Sequence, residues 1–144
     1  MQDRYLFRGK RIDNGEWVIG NCIDDGVTGQ VFIHAVGNSV NESDKVGEEG
    51  CLQFVAFEVA PATICQCTGL KDKNGRLIFE NDILSAHLDD KFPEDETRTR
   101  VVWHENGWCT NEPGCDDHEE LDDFDSENFE VIGNIFDNPE LLEV

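Results

Sequence analysis

The side chains most able to do chemistry are the cysteines and histidines. Cys65 and Cys67 stand two apart, so on a strand their thiols share one face. Downstream, Cys109, Cys115 and His118 add two thiols and an imidazole. Zinc takes thiolate and imidazole in tetrahedral sets. The spacing Cys109-x5-Cys115-x2-His118 matches no common structural zinc pattern, and no Cys-x2-Cys pair occurs. Unliganded thiols are therefore the plainer reading, and Cys65, Cys67, Cys109, Cys115 and His118 are the metal candidates. His104 and Cys109 flank Asn106-Gly107, a turn that could bring imidazole and thiol together. A reactive thiol needs an electropositive setting. The run from Glu105 to Asp125 supplies the reverse, which favours the protonated thiol.

Carboxylates dominate what remains. Residues 116–127 hold eight of them: Asp116, Asp117, Glu119, Glu120, Asp122, Asp123, Asp125 and Glu127. Such a run could attract Ca²⁺, but it lacks the central Gly and spaced terminal Glu of an EF-hand loop. No carboxylate pair stands out for glycosidase-type chemistry. Over all 144 residues, 11 Lys and Arg face 32 Asp and Glu, a net charge of −21. From Ser85 onward there are 19 acidic and 3 basic residues, against 13 and 8 before it. Binding to nucleic acid by counterion release needs clustered Lys and Arg. Docking on an anionic membrane needs the same. Both are disfavoured. Phosphate loops of the GxxxxGK[ST] or GxGxxG kind are absent. The basic cluster Arg4, Arg8, Lys10 and Arg11 reads as pairing within the chain. Trp17, Trp103 and Trp108 read as core residues, with Trp108 a contact residue if exposed.

The elements that position these groups read as short strands. Tyr5-Leu6-Phe7 and Trp17 to Ile23 flank Asn14-Gly15, a pair that favours a type I′ hairpin turn. Period two places Trp17, Ile19 and Ile23 on one face. Residues 30–36 alternate Val31, Ile33 and Ala35 against Phe32, His34 and Val36. Residues 37–50 read as a loop and 51–60 as a strand with Val55, Phe57 and Val59 on one face, closed by Pro61. Residues 62–70 read as a short helical turn followed by an extended piece. Turns at Asn74-Gly75 and Glu80-Asn81-Asp82 flank Leu77-Ile78-Phe79, and a strand runs from Ile83 to about Leu88. A charged loop, 89–98, leads to a strand over 99–104 with Val101 and Trp103 on one face. Asn106-Gly107 then turns the chain. Residues 111–128 read as an acidic loop and 129–136 as the last strand. Asn138-Pro139 predicts an N-cap and first position of a short C-terminal helix. The expectation is a mainly β chain of short antiparallel strands and hairpins.

Several blocks carry a family likeness. They are Phe7-Arg8-Gly9-Lys10 with Gly15-Glu16-Trp17-Val18, Thr68 to Gly75, and Ile78-Phe79-Glu80-Asn81-Asp82-Ile83. Val101-Val102-Trp103, Phe129 to Ile135 and Asn138-Pro139-Glu140-Leu141-Leu142 complete the set. In this order and over almost the whole length, the chain resembles the YopX family of small bacteriophage and prophage proteins. The resemblance implies a mainly β protein whose second half is similar to an SH3-like small barrel. It implies no activity and no catalytic residues. Asn81 stands where the family usually has Gly. Cys65-Gln66-Cys67 replaces a common Gly-Gln-aromatic sequence, so Cys67 is expected to fill a packing position.

The functional expectation is a non-enzymatic accessory protein acting through protein contacts, without a cofactor. Residues 1–67 would form an N-terminal β region and 68–144 the barrel-like region with acidic loops. The contact candidates are Trp108, Asp116, Asp117, Glu119, Glu120, Asp122 and Asp123. An acidic nucleic-acid mimic that binds a DNA-binding protein is the alternative, and a zinc protein or enzyme the next. The charged start MQDRYLFRGKRI and the lack of a long apolar run predict a cytoplasmic protein without a membrane span. Open strand edges leave room for a homo-oligomer.

Overall fold

The computed structural model describes residues 6–24, 26–35 and 56–143. It divides into two compact units, Met1–Cys67 and Thr68–Val144. The expected loop at 37–50 and the first half of the expected strand at 51–60 lie outside the described residues. Among the described residues the architecture is mainly β, built from antiparallel pairs, as the sequence predicts.

In the first unit, β1 (Phe7–Lys10), β2 (Trp17–Asp24), β3 (Val31–Ala35) and β4 (Ala56–Val59) form a meander. The start of β5 (Cys65–Lys71) pairs with the other edge of β1. The core is Val18, Val31, Ile33 and Val59, with Phe7, Cys22, Phe57 and Ile64 packed against it. Trp17, Ile19 and Ile23 share one face of β2, as expected, but it is the face away from this core. Val18 and Cys22 face the core, and Trp17 and Ile19 face away. Cross-strand pairing explains the choice: Lys10 stands opposite Trp17, and Arg8 opposite Ile19. The Trp17 ring thereby lies under the Arg8 guanidinium at 4.8 Å and the Lys10 ammonium at 5.5 Å. These cation–π contacts take Trp17 out of the core role expected for it. Arg11 pairs with Asp13 and covers the Phe57 ring at 4.1 Å. The expected turn at Asn14-Gly15 is also longer than type I′. Gly15 donates to the Arg11 carbonyl at 2.9 Å and Arg11 to the Glu16 carbonyl at 2.9 Å. Gly15 has φ +74°, while Asn14 is not in the left-handed region that type I′ would require.

A 3₁₀ turn at Pro61–Thr63 leads into β5, matching the expected helical turn and extended piece. Beyond Cys67, β5 neighbours β6 (Leu77–Phe79). The second unit's sheet runs in the open order β10-β9-β8-β7-β11. Its strands are β7 (Asp82–Ala86), β8 (Thr97–His104), β9 (Gly107–Asn111), β10 (Glu119–Glu120) and β11 (Glu130–Asn134). The second half is an antiparallel sheet, and the expected SH3-like barrel is not confirmed. Ile78, Leu84, Ala86, Val101, Leu121, Phe129 and Val131 form the core. Burying each larger aliphatic side chain contributes about 1.5–3 kcal/mol.

Buried Asp72 ties this unit together. Its carboxylate accepts from the backbone N–H of Asn74, Arg76 and Val131, each at 2.9 Å. The turn after β5 and strand β11 are thus held by one side chain. The C-terminal helix is corrected to a 3₁₀ turn, Pro139–Leu142, and Asn138 makes no side-chain cap there. Its amide instead turns back and accepts from Asn134 N–H at 3.4 Å.

Candidate functional site

The loop expected over 111–128 holds for 112–118, while from Glu119 onward the acidic stretch forms a short strand and a helix. Leu121 N–H donates to the Trp108 carbonyl at 3.0 Å, and β10 pairs Glu119 with Thr110 and Glu120 with Cys109. The segment between β9 and β10 is closed by Asn111, whose amide donates to the carbonyls of Cys115 at 2.8 Å and Asp117 at 2.9 Å. A short helix, α1 (Asp123–Asn128), follows. Asp122 caps it by accepting from Phe124 N–H at 3.0 Å and Asp125 N–H at 3.4 Å. Asp125 reciprocates by accepting from Asp122 N–H at 3.0 Å. This is a capping box made of two aspartates. The spacing Asp122-x2-Asp125 was its signal in the sequence, hidden among the other carboxylates.

Sheet and acidic segment enclose a cavity of about 300 Å³. Thr97, Thr99 and Thr110 lie along it from β8 and β9, with Phe129. Glu112, Asp117, Glu119, Glu120, Asp122 and Asp125 surround it, with Leu88 and Phe124. Thr99 is buried, and its hydroxyl has no hydrogen-bond partner. Period two puts Thr97 and Thr99 on the face of Val101, with Ala86 and Leu84 directly opposite them on β7. Thr99 was not singled out from the sequence, where a threonine in a strand looks ordinary. Burial raises the Asp125 carboxyl above the ordinary aspartate range, and the charges of Asp122 and Glu119 add to this.

The sequence-predicted residues fall as follows. Cys65 and Cys67 are fully buried in the first unit, and Cys65 Sγ donates to the Thr63 carbonyl at 3.3 Å. Cys67 fills a packing position, as expected. In the second unit Cys109 is half-buried opposite Val102, with Glu120 on its other side. Burial, then Glu120 and Glu105, push its thiol up, in line with the protonated form expected. Cys115 is exposed at the cavity. The His118 ring stacks on His104 at 3.8 Å and 5°. Among the described residues, no three His, Cys, Asp or Glu side chains are grouped to hold a metal ion.

Trp108 is half-buried and packs against the core. Trp103 is the exposed one, 54% accessible, and meets Trp108 edge-on at 5.0 Å. This corrects the core role expected for Trp103. The hairpin tip explains it. His104 pairs with Gly107, so the tip is Glu105-Asn106, with φ +57° at Glu105, one residue earlier than the Asn-Gly signal suggests. Trp103 is the last residue but one of β8, directly opposite Trp108 and outside the buried cluster. Asp116, Asp117, Glu119, Glu120, Asp122 and Asp123 are all exposed. The chemistry this arrangement offers is attraction and binding of cations beside an apolar wall.

No curated protein matches the chain. Among solved structures it is similar to the crystal structure of protein EF1440 from Enterococcus faecalis. The two are 25% identical, with a TM-score of 0.56, over 95% of this chain and 96% of that one. The model of the family described as YopX protein matches residues 6–143. With that match spanning nearly all of its length, the chain belongs to the YopX family.

Proposed function

We propose that this protein is a non-enzymatic phage or prophage accessory protein that works in the bacterial cytoplasm by contacting a basic protein partner. The observation that carries the reading is the order of the acidic segment. Asp116, Asp117, Glu119, Glu120, Asp122 and Asp123 are exposed, yet the backbone beneath them is pinned by β10, Asn111 and the capping box. Carboxylates held in place present a fixed pattern, which selects a partner and steers its approach. A solvated loop would offer charge without geometry. Exposed Trp103 and Phe124 add the aromatic surface that contact sites favour. The nucleic-acid mimic is less well supported. Its carboxylates would need a regular row on rigid strands, whereas β10 carries only Glu119 and Glu120, adjacent and so on opposite faces.

The test is affinity capture from phage-infected or prophage-carrying cells. The native chain is compared with a variant carrying Asp116→Asn, Asp117→Asn, Glu119→Gln and Glu120→Gln. A partner recovered by the native chain and lost by the folded variant is expected. Equal recovery by both would remove the acidic segment from the reading.

A further inference from the structure

We propose that the cavity under the acidic segment receives the guanidinium of an arginine side chain presented by the partner protein. This rests on the protein-contact reading above and names the chemistry of that contact. The cavity's charge is one-sided: six of its lining residues are carboxylates and none is basic. Among the described residues, Glu112, Asp117, Glu119 and Glu120 have no ion pair. Charge alone would draw any cation.

Thr99 narrows the choice. It is only 4% exposed, it lines the cavity, and its hydroxyl is left without a partner. An unmade buried hydrogen bond costs about 1–3 kcal/mol. A native structure that keeps one calls for an explanation, and a ligand that completes the bond supplies it. The hydroxyl can accept a hydrogen bond, and every guanidinium nitrogen donates.

The walls distinguish among cations. Leu88, Phe124 and Phe129 give the cavity an apolar side, and Phe124 is 54% exposed. A divalent ion wants oxygen ligands all round and gains nothing from phenyl rings. An ammonium is compact and strongly hydrated. A guanidinium is planar, weakly hydrated and stacks on aromatic faces while donating from its edge. Its aliphatic stem would lie along Leu88. The cavity volume, about 300 Å³, is at the small end for ligand pockets and suits one side chain.

The test is a titration of the isotope-labelled full chain with N-acetyl-arginine-amide, followed through backbone amide resonances. N-acetyl-lysine-amide and N-acetyl-citrulline-amide, the uncharged isostere of the arginine probe, serve as comparisons. Saturable shifts at Thr99, Thr110 and Phe129 are expected with the arginine probe, weaker ones with lysine and none with citrulline. Thr99→Val should fold at least as well as the native chain, because it removes an unpartnered hydroxyl. It should bind the arginine probe roughly tenfold more weakly, through loss of one charge-assisted hydrogen bond. Glu119→Gln should weaken binding without unfolding.

The proposal is overturned by a titration without saturation, by equal binding of citrulline or lysine, or by shifts that ignore Thr99→Val. If the probe fails while the partner capture described above is still lost on neutralising the acidic segment, the cavity is wrong and the contact reading stands. If the probe saturates as expected while capture is unchanged, the cavity stands and the contact reading falls.

Discussion

Gly9 shows how a single missing atom can be a structural requirement. It faces Val18 across β1 and β2, on the core side of the sheet. A Cβ there would come within 2.9 Å of both Cβ and Cγ2 of Val59, which is fully buried. Val59 cannot swing away, because its Cβ is fixed by the β4 backbone. Gly9→Ala is therefore expected to destabilise the chain by about 1–3 kcal/mol, the usual cost of overpacking a core. A denaturant midpoint unchanged from the native chain would refute the close approach. Asn81 makes the complementary case. It has φ +69°, the left-handed region that glycine enters freely and asparagine tolerates. The glycine that the resemblance implies at this position would satisfy the same backbone as this asparagine. Asparagine adds an acceptor, since Arg100 donates to its Oδ1 from Nη2 at 2.9 Å. What the sequence signals as a departure is a conservative change at the level of the dihedral angle.

At the scale of elements, β3, β4 and the turn leading into β5 were legible because their signals do not compete. Val31 and Ile33 alternate with less apolar neighbours, and Pro61 breaks the chain where a 3₁₀ turn then forms. Which face of β2 meets the core was not legible, since Trp-Val-Ile offers apolar residues to both faces and period two alone cannot rank them. Arg8 and Lys10, one strand away, decide it. The acidic segment failed for a related reason. A two-residue strand exists only through its pairing with β9, and a six-residue helix only through its cap. That cap carries a cost that can be measured. Asp125 is buried close to Asp122 and Glu119, so its folded carboxyl holds its proton more tightly than in the unfolded chain. The stability from that proton is fully present below the ordinary aspartate pKa of about 3.9 and is lost as pH rises through the higher folded value. Ionising Asp125 therefore costs the native chain more than it costs the unfolded one. Asp125→Asn keeps an oxygen for Asp122 N–H and removes the charge. Its thermal midpoint should exceed the native one at about pH 7, and the gap should close towards about pH 4. A lower midpoint at neutral pH would mean that the charged form of the cap is the stabilising one.

For the whole molecule, the net charge of −21 is the dominant electrostatic fact. It is not offset by dense ion pairing in the second half, which has 19 acidic residues against 3 basic ones. Two of those three cations are already engaged, Arg98 with Glu96 and Arg100 with Asn81. A surface ion pair such as Arg98–Glu96 contributes at most about 1 kcal/mol and weakens with salt. Like-charge repulsion also weakens with salt, since the Debye length falls from about 30 Å at 0.01 M to about 8 Å at 0.15 M. The two effects oppose each other, and their sum gives a sign. With carboxylates outnumbering cations this heavily, repulsion in the compact state outweighs the pairs, because unfolding spreads the charges apart. Thermal stability is therefore expected to rise as sodium chloride is raised from about 0.01 M to about 0.15 M, with most of the gain at the low end. The four-site neutralised variant Asp116→Asn, Asp117→Asn, Glu119→Gln, Glu120→Gln should begin from a higher midpoint and gain less. A midpoint that falls with salt would show that the few ion pairs, rather than the crowded carboxylates, govern the stability of the fold.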